Sequence, residues 1–425
     1  MPEAMRGREH TLNAVRISLK KKSLADYERI VGRDAIDEIL SLAADLKGLR
    51  VLHLNATASG GGVAELLSSL VPLLVSAGLA AEWNTLPQHA EFFEVTKRFH
   101  NALQGMPYVP TEEDVSAYLD HDRLSAEALT ASYDVVVTHD PQPVAFRHFA
   151  GRRGAKWVWR CHIDTSAPSA DAWDLLRPFV EEYDAAVFTL RAFVPPGLGL
   201  GQERLFFIPP AIDPLSSKNR HLPESLCEEV VSEFGIDVRH PLLTQVSRFD
   251  PWKDPLGVIG IYRRLKERFP ALQLALVAFM AQDDPEAWRV YASVESETAG
   301  DPDAYVFTNL DGVGSLEVNA FQRVSDVVVQ KSIREGFGLV VSEAIWKGTP
   351  VVAGDTGGIS LQMSDGVGGY LADDQDDYAE RISALLNDRS LATAVAAAGR
   401  ERVREHFLVT RLLADELRML RELVL

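Results

Sequence analysis

Short apolar runs rich in β-branched residues alternate with longer amphipathic, charge-bearing stretches along almost the whole chain, in two series separated by one break. Apolar strands of this kind bury both faces only in a parallel sheet flanked by helices, so the pattern predicts a doubly wound α/β fold. The first series of expected strands is 50–54, 81–86, 134–138, 156–160, 184–189 and 204–208. The stretch IPPAIDPLSSKNRHLP (208–223) then breaks the pattern with Pro, Ser and polar residues and reads as a hinge. A second series follows at 241–246, 272–278, 305–308, 326–330, 350–353 and 369–371, with a helix expected at 255–268 and only helical periodicity after it, at 376–387, 390–406 and 410–425. A chain of 425 residues exceeds the roughly 250–300 at which one core stops growing, so each series is read as its own Rossmann-like domain. The boundaries fall at 1–214, 215–404 and 405–425. Ligands of open α/β sheets bind beyond the carboxyl ends of the strands, and two hinged domains are expected to take one in the cleft between those ends.

Charge and cysteine content remove several classes of function. The formal net charge of −18 opposes a phosphate backbone or an anionic membrane surface as partner, so neither nucleic acid nor membrane is expected. The stretch 271–281 is the longest nearly apolar run and is far shorter than the roughly 20 residues that span a bilayer. The N-terminus is charged throughout and lacks an apolar signal region, and the two cysteines, Cys161 and Cys227, fit a reducing compartment; a cytoplasmic location is expected. No His pair at i, i+4, no Asp-x-Asp directly after an expected strand and no Cys pair marks a metal site, and Asp283-Asp284 before Pro285 reads as a helix N-cap region.

Three strand ends carry chemistry. NATASGGGVAE (55–65) sets Gly60, Gly61 and Gly62 before a helical repeat, a turn whose N–H groups can approach an anion or which is simply a tight loop. It is neither G-x-G-x-x-G nor a P-loop. The strand LLTQVS leads to Arg248, with Lys253 five positions on; the two cations can hold a diphosphate, or form a surface pair salt-bridged to Asp250 and Asp254. SIREGFGLVVSE (332–343) follows the strand DVVVQ and holds a Gly-Phe-Gly turn, then a helix expected to end at Gly348. Its amides can hold an anion while Glu335 and Glu343 accept hydroxyl hydrogen bonds, which suits a polyhydroxylated ligand.

Glu335 to Glu343, with the following AIWKGTPVVA (344–353) and Gly357-Gly358, resembles the E-x7-E region of retaining glycosyltransferases of family 4, which have the GT-B fold. HLNATASGGGVAELLSSLVPLL, THDPQP (138–143) and WRCHIDTSAP (159–168) look like the trehalose-forming branch of that family. The resemblance runs from about residue 27 to the C-terminus. It implies two facing Rossmann-like domains with a C-terminal helix returning to the first, and transfer of glucose from a nucleoside diphosphate glucose to free glucose, giving α,α-trehalose. ADP-, UDP- and GDP-glucose all fit it as donor. Matched singly, Gly61 and Gly62 lie near the donor phosphates, Arg248 and Lys253 stabilise the leaving diphosphate, Glu335 holds donor sugar hydroxyls and Glu343 the ribose. Gly336, Phe337, Gly338 and Leu339 supply amides, and Leu310 lies by the base. His162 matches a histidine beside the donor sugar C6 hydroxyl and the reacting centre; by spacing alone it is a lone histidine after a strand. Asp140 is a candidate to orient the acceptor or a cap before Pro141, with Gln142, Arg160 and Asp164 as further acceptor candidates. The diphosphate is neutralised by cations and amides, so no cofactor or metal is expected. A retaining trehalose phosphorylase, a sucrose or glycogen synthase-like transferase and a non-catalytic sugar-nucleotide sensor are the competing readings; oligomeric state is open, a homodimer being one option.

Overall fold

The computed structural model describes residues 14–280 and 285–425, and the expected cap at Asp283-Asp284 lies outside them. The chain divides into two compact units. The first comprises residues up to Leu24, Glu38–Ile208 and Asp415–Leu425; the second comprises Ala25–Asp37 and Pro209–Ala414.

The first unit is built on strands β1 (Val15–Arg16), β2 (Arg50–Asn55), β3 (Ala80–Thr85), β4 (Val135–His139), β5 (Lys156–Cys161), β6 (Ala185–Phe188) and β7 (Leu205–Phe207). They lie in the order β1-β3-β2-β4-β5-β6-β7, with β2 to β7 parallel. Only β1 runs antiparallel, pairing Val15 with Thr85, and its two residues give no signal of their own in the sequence. The core packs Leu54, Phe92, Phe99, Tyr118, Trp157 and Trp159. The helix Gly62–Ser76 buries Leu66, Leu67, Leu70, Leu73 and Leu74, each worth about 1.5–3 kcal/mol of apolar burial.

The second unit repeats the plan with β8 (Leu242–Arg248), β9 (Gln273–Phe279), β10 (Ala304–Thr308), β11 (Val327–Gln330), β12 (Val351–Gly354), β13 (Ser364–Asp365) and β14 (Gly368–Ala372), in the order β10-β9-β8-β11-β12-β14-β13. All these pairs are parallel. Consecutive residues of β11 point to opposite faces: Val327 and Val329 join Val258, Ile261 and Ile382 on one side, and Val328 joins Val341, Ile345 and Val351 on the other. Gly348 closes the helix Leu339–Lys347 in the left-handed region, at φ 88°. Among the described residues no helix is long and apolar enough to cross a membrane.

Strand order decides where chemistry can sit. In the first sheet the winding reverses between β2 and β4, and in the second between β8 and β11, so each sheet has its crevice at the carboxyl ends of those strands. All the expected site segments except Leu310 follow strands at or beside these two points.

Candidate active site

In the first unit the glycine turn follows β2. Gly61 caps the helix Gly62–Ser76 with no side-chain acceptor, leaving the first-turn N–H groups open. A Cβ at Gly61 would meet nothing within 4 Å, and its φ of −151° is open to any residue. The protein's own packing does not require glycine there; a close approach by something else would.

Beside it, β4 ends in His139 and Asp140. Asp140 sits in the left-handed region at φ 63°, a conformation uncommon outside glycine and tolerated best by Asn and Asp. Its carboxylate accepts the backbone N–H of His162 at 2.8 Å, so it ties the end of β4 to the end of β5. Burial, resisted by that bond and by Arg160, pushes its pKa up to about 7. Asp164 accepts the Ser166 N–H at 3.0 Å, and Gln142 is half-buried in the turn after Pro141. Arg160 is 1% exposed and pairs with Glu416 at 2.7 Å, while donating to the Ile208 carbonyl at 3.3 Å. Its guanidinium therefore holds the C-terminal segment of this unit. The partner, 256 positions away, has no local sequence signature.

A row of three imidazoles crosses this face. His53 Nδ1 lies 3.1 Å from His139 Nε2, and His139 Nδ1 lies 2.9 Å from His162 Nε2. His53 and His139 are wholly buried and His162 is half-buried. Register explains the row: His53 pairs with Val137, His139 pairs with Arg160, and alternation puts His53, Val137, His139, Arg160 and His162 on one face. Burial, with the Arg160 cation nearby, holds His53 down to about 3 and the other two well below the ordinary histidine value, so all three are neutral at pH 7. His53 and His139 carry no local signal; the alternation within HLN, VVVTHD and WRCH is the pattern that could have placed them on a common face.

In the second unit, Arg248 ends β8 half-exposed and pairs with Asp250 at 3.1 Å, as in the surface-pair alternative. Lys253 does not take Asp254: its ammonium pairs with the Glu335 carboxylate, and Lys331 pairs with Asp254. Asp254, at φ 43°, instead caps the helix Pro255–Lys266 by accepting the Gly257 N–H at 3.0 Å. Glu335 is 8% exposed and accepts also from Ser332 Oγ at 3.0 Å. The Ile333 N–H donates to the Trp252 carbonyl at 2.8 Å, which ties the loops after β8 and β11 together. Lys253, Glu335 and the turn 336–339 are thus one cluster at the switch point.

The turn itself rests on Gly358. A Cβ there would stand 2.6 Å from both the Gly336 oxygen and Phe337 Cα, so only glycine lets the two segments touch. Gly338 caps the helix Leu339–Lys347 at φ 78° without a side-chain acceptor. Phe337 turns its ring inward, 5.6 Å from Phe407, leaving its backbone as the part available to a ligand. Glu343 is wholly buried and meets the Lys218 ammonium at 2.9 Å. Lys347 donates to Asn219 Oδ1 at 2.8 Å and Gln322 Oε1 at 2.7 Å. Lys218 and Asn219, in the 208–223 stretch, are invisible in the sequence as site residues because their partners lie more than a hundred positions away. Leu310 is 53% exposed on the turn after β10, where Asn309 Oδ1 accepts the Met280 N–H at 2.6 Å. Among the described residues no group of three or more His, Cys, Asp or Glu is placed to hold a metal.

Two doubly wound sheets, parallel apart from β1 and each with its crevice at a switch point, are the architecture of the GT-B class of glycosyltransferase. In shape the chain is similar to an α,α-trehalose-phosphate synthase (UDP-forming) from Burkholderia xenovorans, with a TM-score of 0.71 at 15% identity over 88% of this chain and 100% of that one. Family models described as "Trehalose synthase, N-terminal domain" and "Glycosyl transferases group 1" match residues 53–195 and 228–402. A trehalose synthase from Rubrobacter xylanophilus is 50% identical over 96% of this chain and 99% of its own, and one from Pyrococcus horikoshii is 45% identical over 92% and 94%. The chain belongs to the trehalose synthase family of glycosyltransferases.

Proposed function

We propose that the chain transfers glucose from a nucleoside diphosphate glucose to the anomeric hydroxyl of free glucose, forming α,α-trehalose with retention. The observation that carries this reading is the cluster of Lys253, Glu335 and the glycine turn after β11, with Arg248 at the end of the adjoining strand. Cations and open amides suit a diphosphate, and a buried carboxylate beside them suits sugar hydroxyls.

In this reading the bond from C1 to the diphosphate oxygen breaks while C1 joins the acceptor oxygen on the same face, and the acceptor proton passes to the departing phosphate oxygen. Negative charge grows on the diphosphate. Arg248, Lys253 and the amides of Gly336, Phe337, Gly338 and Leu339 stabilise it, and Lys253 is then shared between Glu335 and the phosphates. Gly61 and Gly62 are assigned to the donor phosphates, Glu343 to the ribose hydroxyls and Leu310 to the base. His162 lies by the donor sugar, and Asp140, Gln142 and Asp164 orient the acceptor glucose. Arg160 supports that group through its buried pair. No metal or other cofactor is required.

The test supplies glucose with ADP-, UDP- or GDP-glucose in one set of reactions and glucose with glucose 1-phosphate in another. Trehalose from the first set, with small anomeric proton couplings at both C1 atoms and undiminished rate in excess chelator, is the expected result. Product only from glucose 1-phosphate would replace the reading with a phosphorylase. A β linkage would remove retention, and activity restored by one metal after chelation would remove the metal-free mechanism.

A further inference from the structure

The three imidazoles form a chain with two contacts, and a count of protons limits its states. Each contact needs one N–H and one bare nitrogen, and each neutral ring carries one proton. Protons pointing inward from both ends would leave His139 without one, and outward protons would leave it with two. Only two arrangements remain. In one, every ring carries Nδ1–H: His53 donates to His139, His139 donates to His162, and His162 Nδ1–H is free. In the other, every ring carries Nε2–H and the free proton sits on His53 Nε2.

The surroundings choose between them. His53 Nε2 is buried and has no hydrogen-bond partner among the described residues. Either a bare nitrogen or an N–H loses solvation there, but orphaned buried N–H groups are the rarer of the two in folded proteins, and the Arg160 cation disfavours protons on this ring, so the bare nitrogen is the favoured state. Arg160, on the same face, opposes any additional proton on the row. The N–H at the other end falls on His162, the half-buried ring at the carboxyl end of β5.

We propose that His53 and His139 are positioning residues that lock His162 in the Nδ1–H tautomer, so that His162 meets its substrate as a hydrogen-bond donor to a sugar hydroxyl oxygen and not as a base. The substrate class rests on the function proposed above. The lock itself does not depend on turnover, because it is set by buried groups within one unit.

Histidine-selective 15N labelling of the whole chain, read by two-bond proton–nitrogen spectra, reports the tautomer of each ring. His162 is assigned by the signal lost in His162→Gln. Nδ1–H at His53, His139 and His162 is expected; Nε2–H at His162, or averaging of its two nitrogens, overturns the proposal. A variant pair tests the relay. His53→Asn can set an amide N–H where Nδ1–H stands, whereas His53→Phe fills the space with no donor. The Asn variant is expected to keep His162 as Nδ1–H and kcat within about twofold. The Phe variant is expected to release the tautomer and lower kcat about tenfold with the donor KM held, the loss of one oriented hydrogen bond. Equal tautomers and rates in the two variants would overturn the relay. Should the Phe variant not fold, the wild-type spectrum decides alone. Wild-type protein that makes no disaccharide removes the proposed function and leaves the tautomer result standing; active protein with Nε2–H at His162 removes only this proposal.

Discussion

Replacing Glu416 by Ala removes one partner of a pair whose side chains are 2% and 0% exposed and 2.7 Å apart. The Arg160 guanidinium then stays in the core of the first unit with the Ile208 carbonyl, 3.3 Å away, to accept from it. Burial already holds its pKa below the ordinary arginine value, against the attraction of Glu416. An arginine stays charged across the working range, so it cannot escape the desolvation by losing a proton. Breaking a buried pair from one side costs about 3–5 kcal/mol. For a unit of roughly 200 residues each kcal/mol lowers Tm by about 2–4 °C, so Glu416→Ala should lose roughly 6–20 °C. Arg160→Met/Glu416→Leu removes both charges and fills the volume, and should recover most of that loss. Thermal unfolding followed by circular dichroism measures both, and amide exchange in β5 locates the effect in the first unit. A single variant that melts within about 2 °C of wild type, or a double variant no better than the single, would refute the reasoning.

Three further outcomes are expected. Arg248→Ala and Lys253→Ala should each lower kcat by roughly a hundredfold with the fold intact, since a transition-state charge contact is lost; near wild-type turnover in either would remove it from the diphosphate site. Asp140 has a folded-state pKa of about 7 against an ordinary 3.8, so the folded state favours its protonated form and loses stability as pH rises between those values. Asp140→Asn keeps an acceptor for the His162 N–H and tolerates positive φ; it should match wild-type stability near pH 3 and exceed it at pH 8, and denaturant titrations showing a constant difference would contradict the assignment. Gly358→Ala must drive its Cβ away from the Gly336 oxygen at 2.6 Å, so it should destabilise the second unit by about 1–3 kcal/mol and weaken nucleotide binding; calorimetry showing unchanged affinity would detach the turn from the anion site.

Local patterns along the chain are enough to make the fold legible. Each of the twelve expected strands overlaps one in the sheets to within a residue or two, because an apolar β-branched run between helical segments has one way to bury both faces. The Gly-Phe-Gly turn and the Gly348 cap are equally plain, since both depend on a backbone conformation that a few adjacent residues encode. The two strands without a signal, β1 and β13, are two residues each, too short to show a period. Pairings between distant positions are another matter. Lys253 sits five residues from Arg248 and one from Asp254, yet its carboxylate is Glu335, because the reversal of strand order sets β8 beside β11. Arg160 reads in the sequence as a candidate ligand contact and is consumed by Glu416 at the far end of the chain. His162 reads as a lone histidine and stands at the end of a row whose other members come from two strands brought alongside by register. Sequence spacing carries what neighbours along the chain do to one another; which buried charge finds a partner, and which imidazole holds the proton, depends on strands meeting across a sheet, and that only tertiary structure decides.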